Sequence, residues 1–90
     1  MGKMLIANPE IVFREEIDEA ILFDPRTGAV KILNETGAFI YQLLDGKHSQ
    51  NDVVESLMER YDTMDREQVE KDLAEFLGGL RESGLIGELE

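Results

Sequence analysis

The chain has 90 residues and a net charge of −11, from 20 acidic and 9 basic side chains. This length allows one domain, over residues 1–90 with an expected ordered core over about residues 9–86. The absence of cysteine excludes a disulfide framework, a thiolate metal site and a cysteine nucleophile, and is compatible with a cytoplasmic location. The negative charge opposes binding to nucleic acid and to anionic membranes, and no apolar run is long enough to span a membrane.

The N-terminal half predicts a short antiparallel sheet. Residues 1–10 are expected to be a lead-in, residues 11–16 a weak first strand, and residues 20–23 a second strand. Residues 24–28 read D-P-R-T-G, which predicts a turn: Pro25 presets φ for a type I turn, and Gly28 can adopt a positive φ. A third strand over residues 29–33 then pairs with the second.

The first two helices have clear start signals. Asn34 is suited to cap a helix that runs to about residue 44, where Asp45-Gly46 is expected to end it. Ser49 begins the second helix, with Asp52 at the spacing of a capping box. The short D-G-K-H-S link between these helices suggests a helix-turn-helix outline.

The third helix is predicted from Asp65 to about residue 83. Gln68 completes a second capping box, and Met64 against Val69 forms a hydrophobic staple. Two consecutive glycines at 78–79 are expected to disturb its regularity. The predicted fold class is therefore α+β, with a three-stranded antiparallel sheet followed by three helices that pack on one another and on the sheet.

Nothing in the sequence indicates catalysis or a metal site. His48 is the only histidine and is expected in a solvated loop, while Ser49, Ser56 and Ser83 read as a cap and as surface positions. The glycines form neither a dinucleotide-binding nor a phosphate-binding motif. The sequence therefore predicts a protein that is not an enzyme and needs no cofactor.

Binding of DNA is disfavoured by the third helix, which carries three basic and six acidic residues between positions 65 and 83. Recognition of a protein or peptide remains. The strand over residues 29–33 could accept an incoming strand at its edge, or it could simply seal the core with its edge protected by Lys31. A structural or regulatory interaction domain without a peptide ligand stays open as the alternative.

The sequence pattern of the chain also resembles that of a known family. The pattern I-L-F-D-x-x-T-G-A-V-x-x-L-N-x-T-G-x-x-I-Y-x-L-L-D-G begins at residue 21 and is followed by S-x-x-D-V-V-x-x-L and V-x-x-D-L-x-x-F-L-x-x-L-x-x-x-G-L-I. This ordered set resembles the family of coenzyme PQQ synthesis protein D. The matching residues are Leu22, Asp24, Gly28, Leu33, Asn34, Gly37, Ile40, Leu44, Asp45, Gly46, Val53, Leu57, Val69, Asp72, Leu73, Phe76, Leu77, Leu80, Gly84, Leu85 and Ile86.

The resemblance implies a winged helix-turn-helix-like peptide chaperone, also called a recognition element of ribosomally made, modified peptides. Such a domain binds the leader segment of a precursor peptide and presents it to a modifying enzyme, often a radical S-adenosylmethionine (SAM) enzyme. In the family the leader adds as a strand beside the third strand, against the third helix. Carried over to this chain, the peptide-binding residues are Ala29, Val30, Lys31, Ile32, Leu33, Asp72, Leu73 and Phe76.

Overall fold

The computed structural model describes residues 3–61 and 65–89, which form an α+β fold. Within those residues lie two three-stranded antiparallel sheets and three helices. The strands are β1 (Met4–Ala7), β2 (Val12–Glu15), β3 (Glu19–Asp24), β4 (Ala29–Asn34), β5 (Asp45–Ser49) and β6 (Ile86–Leu89). The helices are α1 (Glu35–Gln42), α2 (Gln50–Arg60) and α3 (Arg66–Glu82).

The predicted sheet is present, with strand order β2-β3-β4. The turn between β3 and β4 was predicted correctly: Gly28 has a φ of +79°, and its amide donates to the carbonyl oxygen of Asp24 at 2.7 Å. In the hairpin, Ala20 faces Leu33 and Leu22 faces Lys31. This register turns Ala20, Leu22 and Leu33 toward the core, where each is no more than 3% exposed.

The second sheet, with strand order β5-β1-β6, is absent from the sequence-based prediction. The expected lead-in was wrong over β1, where Met4 pairs with Ser49 on one side and with Leu89 on the other. The link expected between the first two helices is the strand β5. His48 therefore lies in a strand rather than in a solvated loop, with its Nδ1 2.9 Å from Oδ1 of Asp45. Pairing with the distant strand β1 overrides the low strand propensity of this polar sequence.

Two of the three predicted helix caps are confirmed. The Asn34 side chain accepts from the Gly37 amide at 2.8 Å. Ser49 and Asp52 form a reciprocal capping box, with bonds of 2.9 and 3.2 Å. The box at Asp65 was wrong, because this side chain makes no capping hydrogen bond. The staple expected at Met64 lies outside the described residues.

The helices differ from expectation at their ends. Helix α1 ends at Gln42, before the predicted Asp45-Gly46 stop, and Gly46 instead takes its positive φ within β5. Helix α3 remains regular through both glycines to Glu82. Its buried residues, Val69, Leu73, Leu77 and Leu80, pack into the same core as the inner face of β3 and β4.

Candidate functional site

The candidate site begins at the free edge of β4. In the strand order β2-β3-β4, the described residues place no strand on the outer side of β4. Alternate backbone N–H and C=O groups of an edge strand point away from its neighbour and are available to another extended segment. The edge of β4 therefore provides a row of backbone donors and acceptors.

The first of two depressions beside β4 lies at its beginning; we call it the hairpin pocket. It has a volume of about 390 Å³. It is lined by Leu22, Asp24, Thr27, Ala29, Val30, Lys31, Ser83 and Leu85. These residues come from the β3–β4 hairpin and from the segment that follows α3. The hairpin pocket therefore joins the start of the edge strand to the C-terminal end of α3.

The second depression, the helix pocket, lies beyond the other end of β4. Its volume is about 290 Å³, and its lining is mostly apolar with three polar side chains. The lining residues are Asn34, Thr36, Gly37, Ile40, Leu57, Val69, Asp72, Leu73 and Phe76. Gly37 keeps this pocket open, because a Cβ there would lie 3.4 Å from the Phe76 ring and 3.3 Å from the Asn34 side chain.

The two pockets share no lining residue, but β4 contributes to both, and we call the two pockets together with the β4 edge between them the groove. Strand β4 leads from the hairpin pocket toward the helix pocket, whereas α3 leads from Asp72 in the helix pocket back to Ser83 beside the hairpin pocket. The groove carries opposite charges at its ends: Lys31 lines the hairpin pocket, where the charge of Asp24 is paired with Arg26, and Asp72 lines the helix pocket. It therefore combines an unpaired strand edge, two side-chain pockets and a charge gradient.

Six of the eight predicted site residues line this groove. Ala29, Val30 and Lys31 are in the hairpin pocket, and Asp72, Leu73 and Phe76 are in the helix pocket. The other two line neither pocket: Leu33 is buried in the core, and Ile32 is 63% exposed. Their backbone still belongs to the edge strand.

Sequence reasoning missed several residues of the site. Thr36 was not singled out, Gly37 was named only among the residues that match the family pattern, and Ser83 was read as a surface position, yet all three line a pocket. A glycine in the first turn of a capped helix was an available signal, because glycine lowers helix stability and needs a packing reason there. No local pattern marked Ser83, which reaches the groove only through the packing of α3 against the hairpin.

The hairpin pocket is fixed by an ion pair. Arg26 donates to Asp24 through its Nε at 3.0 Å and through Nη2 at 2.9 Å. The same Nη2 reaches the carbonyl oxygen of Gly84 at 3.3 Å, which ties the turn to the end of α3. The hydrogen bonds from Arg26 hold the pKa of Asp24 below its ordinary value, although burial acts in the opposite direction. Asp24 is thus an ionised structural residue beneath the groove.

The part of the chain that the structure describes has neither a cluster of metal-ligating side chains nor a helix able to span a membrane. In residues 3–61 and 65–89, no three His, Cys, Asp or Glu side chains are grouped so that they could hold a metal ion. None of the helices in those residues has the length and apolar character needed to cross a bilayer.

The chain forms a small α+β domain in which a three-stranded sheet ends in an edge strand with pockets beside it, and an exposed sheet edge is what strand addition uses. The family model described as coenzyme PQQ synthesis protein D (PqqD) matches residues 19–86. The chain belongs to this family. A comparison with curated proteins gives no match at the threshold applied.

Solved structures show the same fold. A lasso peptide synthetase B1 complexed with the leader peptide is 32% identical, with a TM-score of 0.81, over 93% of this chain and 98% of that one. TbiB1 in complex with the TbiA(beta) leader peptide is 28% identical, with a TM-score of 0.82, over 90% of this chain and 93% of that one. The heterocyclase TruD shares the fold at 20% identity and a TM-score of 0.68, over 97% of this chain and 12% of TruD.

Proposed function

We propose that this protein is a non-catalytic adaptor that binds the leader segment of a ribosomally made precursor peptide and presents it to a modifying enzyme. The leader adds as a strand to the edge of β4 and places side chains into the groove against α3. The single observation that carries the proposal is the pairing of this free strand edge with a two-pocket groove. The leader peptides present in the two most similar structures described above support it.

The chemistry of the groove limits which peptides fit. The helix pocket, with Ile40, Leu73 and Phe76 in its lining, suits one large apolar side chain of the leader. Lys31 and Asp72 favour an acidic leader residue near the hairpin pocket and a basic one near the helix pocket. Backbone pairing with β4 supplies affinity without regard to sequence, so these side-chain contacts determine specificity.

The partner of the bound peptide is a separate modifying enzyme. Membership of the PqqD family supports a radical SAM enzyme in this role. The similarity to a lasso peptide synthetase B1 supports an enzyme of a lasso-type pathway as the alternative partner, and a binding test with both enzymes distinguishes the two. A cytoplasmic location fits this proposal, since a newly made precursor peptide is met there before export.

The proposal is tested by titrating leader segments of precursor peptides encoded beside this gene into ¹⁵N-labelled protein. We expect the amide signals of residues 29–33 and 72–83 to shift, and a scrambled leader of the same composition to leave them unchanged. If no genuine leader shifts these signals, or if the shifts fall only on β1, β5 and β6, the proposal is wrong.

A matched pair of variants separates groove contacts from general stability. Phe76→Ala removes the ring from the helix pocket, whereas Phe39→Ala removes another half-buried ring that packs edge-on against Tyr61 instead. We expect Phe76→Ala to weaken leader binding at least about tenfold, and Phe39→Ala to leave it within about twofold of the parent. Equal effects of the two substitutions would show that binding responds only to stability.

A further inference from the structure

The outer face of the β2-β3-β4 sheet carries a continuous apolar surface, which we call the outer patch. Its members are Val12, Ile21, Phe23, Val30 and Ile32. Three of these side chains are more than half exposed: Val12 at 53%, Val30 at 60% and Ile32 at 63%. None of them is needed to fill the core, which lies on the opposite face of the sheet.

The strand register makes the outer patch contiguous rather than scattered. Val12 pairs with Phe23, and Phe23 pairs with Val30, which gives a row of three apolar residues across the sheet. In the next row Ile21 pairs with Ile32. Residues directly opposite in antiparallel strands have Cβ atoms roughly 5 Å apart, so these side chains touch one another. A contiguous exposed apolar surface of this kind marks an interaction site, whereas single exposed apolar residues are ordinary.

The border of the outer patch is acidic at the β2–β3 turn. This turn reads E-E-I-D-E over residues 15–19, and its Ile17 is 97% exposed. Glu19, the first residue of β3, lies two residues before Ile21 and on the same face of the sheet. Arg14, beside Ile21 on that face, is neutralised by an ion pair with Glu16 at 3.2 Å.

These charges determine which kind of partner can bind the outer patch. A second copy of the chain would bring two molecules of net charge −11 together through acidic borders, which opposes self-association. An anionic membrane is repelled in the same way. The complementary surface is an apolar area of another folded protein bordered by Lys and Arg side chains.

Strand β4 connects the outer patch to the groove. Val30 and Ile32 contribute their side chains to the patch, while the backbone edge of the same strand is the proposed leader site. A leader strand added beside β4 would extend the sheet, and every second leader side chain would continue the outer face. A protein docked on the outer patch would then contact the chain and the bound leader together.

We infer that the outer patch is the docking surface for a folded protein with an apolar, basic-bordered face. Its identity as the enzyme that processes the bound peptide rests on the proposed function. Val30 is the one member of the outer patch that also lines the groove; docking on the outer face leaves the backbone edge of β4 and the helix pocket free, so enzyme and leader bind the adaptor at the same time.

The test uses the double variant Val12→Thr/Phe23→Thr, whose positions lie on β2 and β3 and outside the groove. Threonine keeps the preference for strand and removes apolar surface. Purified modifying enzymes encoded beside this gene are the probes, and each is titrated with and without the leader. We expect the double variant to weaken enzyme binding at least about tenfold and to leave leader binding within about twofold of the parent.

Further variants and measurements distinguish loss of the docking surface from loss of folding. If thermal melting shows that the double variant is unfolded, Val12→Thr alone replaces it and is expected to give a smaller loss in the same direction. Glu19→Gln should slow association with the enzyme at low salt. Unchanged enzyme affinity, no enzyme binding by the parent, or a parent dimer in sedimentation that the double variant abolishes would each overturn the docking surface. Failure of every leader to bind, with enzyme binding still dependent on the patch, would overturn the adaptor function instead.

Discussion

Asp24 and Arg26 form a two-pronged ion pair within a single turn, and this pair joins the β3–β4 hairpin to the end of α3. Asp24 is only 4% exposed, and its carboxylate also accepts a hydrogen bond from the Arg26 backbone amide at 2.9 Å. Arg26 in turn donates to Gly84. The ion pair therefore links the turn that begins β4 to the segment that follows α3, beside the hairpin pocket.

Replacing Asp24 should change the pH dependence of stability. The folded-state pKa of Asp24 is lowered from its ordinary value of 3.8, with hydrogen bonds from the Arg26 side chain as the main cause. The unfolded chain therefore binds this proton more readily, so the contribution of Asp24 is fully present above about pH 4 and is lost as pH falls further. We expect Asp24→Asn to unfold at lower denaturant concentration than the parent at about pH 7, with the difference shrinking toward about pH 3. A difference that stays constant over this range would contradict a role for the carboxylate charge.

The two helix starts with the same sequence signature should respond differently to substitution. Ser49→Ala removes a capping box in which both hydrogen bonds are formed, so we expect a loss of about 1 kcal/mol in the free energy of unfolding. Asp65→Ala removes a side chain that makes no capping hydrogen bond, so only a few tenths of a kcal/mol from its charge near the helix start should be lost. Urea denaturation of both variants measures the contrast. Equal losses would mean that the cap at Asp65 forms in solution.

These caps and turns also show how far local sequence determines the fold. The β3–β4 hairpin was predictable because Pro25 and Gly28 impose backbone angles without help from distant residues. The second sheet was not, because β1 pairs with β6 across almost the whole chain, Met4 against Leu89, and neither strand carries a strong pattern. Asp65 shows a further limit: the residue type fits a cap, but sequence does not determine where its side chain points.

The same division applies to the candidate site. The edge strand and the Asp72–Phe76 stretch of α3 were expected from the family resemblance, and the structure places residues of the first in the hairpin pocket and of the second in the helix pocket. Exposure along β4 was not predictable residue by residue, since the pattern did not say which face of the sheet the helices cover. This is why Leu33 was proposed as a contact although it is buried, and why the exposed side chains of Val30 and Ile32 on the outer face were not recognised as a surface of their own.

The glycines of α1 and α3 should differ in their response to alanine. A Cβ at Gly78 meets nothing within 4 Å, so Gly78→Ala should raise the free energy of unfolding by about 0.5–1 kcal/mol through the better helix propensity of alanine. At Gly37 a Cβ would be 3.3 Å from Leu33 Cβ and from Asn34 Oδ1, so crowding offsets the same gain. We expect Gly37→Ala to be neutral or destabilising in urea denaturation. Equal stabilisation at both positions would show that the helix pocket relaxes freely.

The adjacent glycines of α3 offer a way to block the groove without touching β4. Gly79 is seven residues beyond Asp72, so it projects within about 20° of it, on the groove side of the helix. Gly78 is turned about 100° further around the helix axis. Neither position has an atom within 4 Å of an added Cβ, so a larger side chain can be introduced at either one.

Gly79→Phe should therefore obstruct the path of a leader strand, whereas Gly78→Phe adds the same side chain outside it. We expect Gly79→Phe to weaken leader binding at least about tenfold and Gly78→Phe to leave it within about twofold of the parent, as measured by calorimetric titration. Because both variants gain the same helix propensity and the same apolar surface, a difference between them reports the position of the peptide. Equal affinities would mean that the leader does not run between β4 and α3, even if it binds elsewhere on the domain.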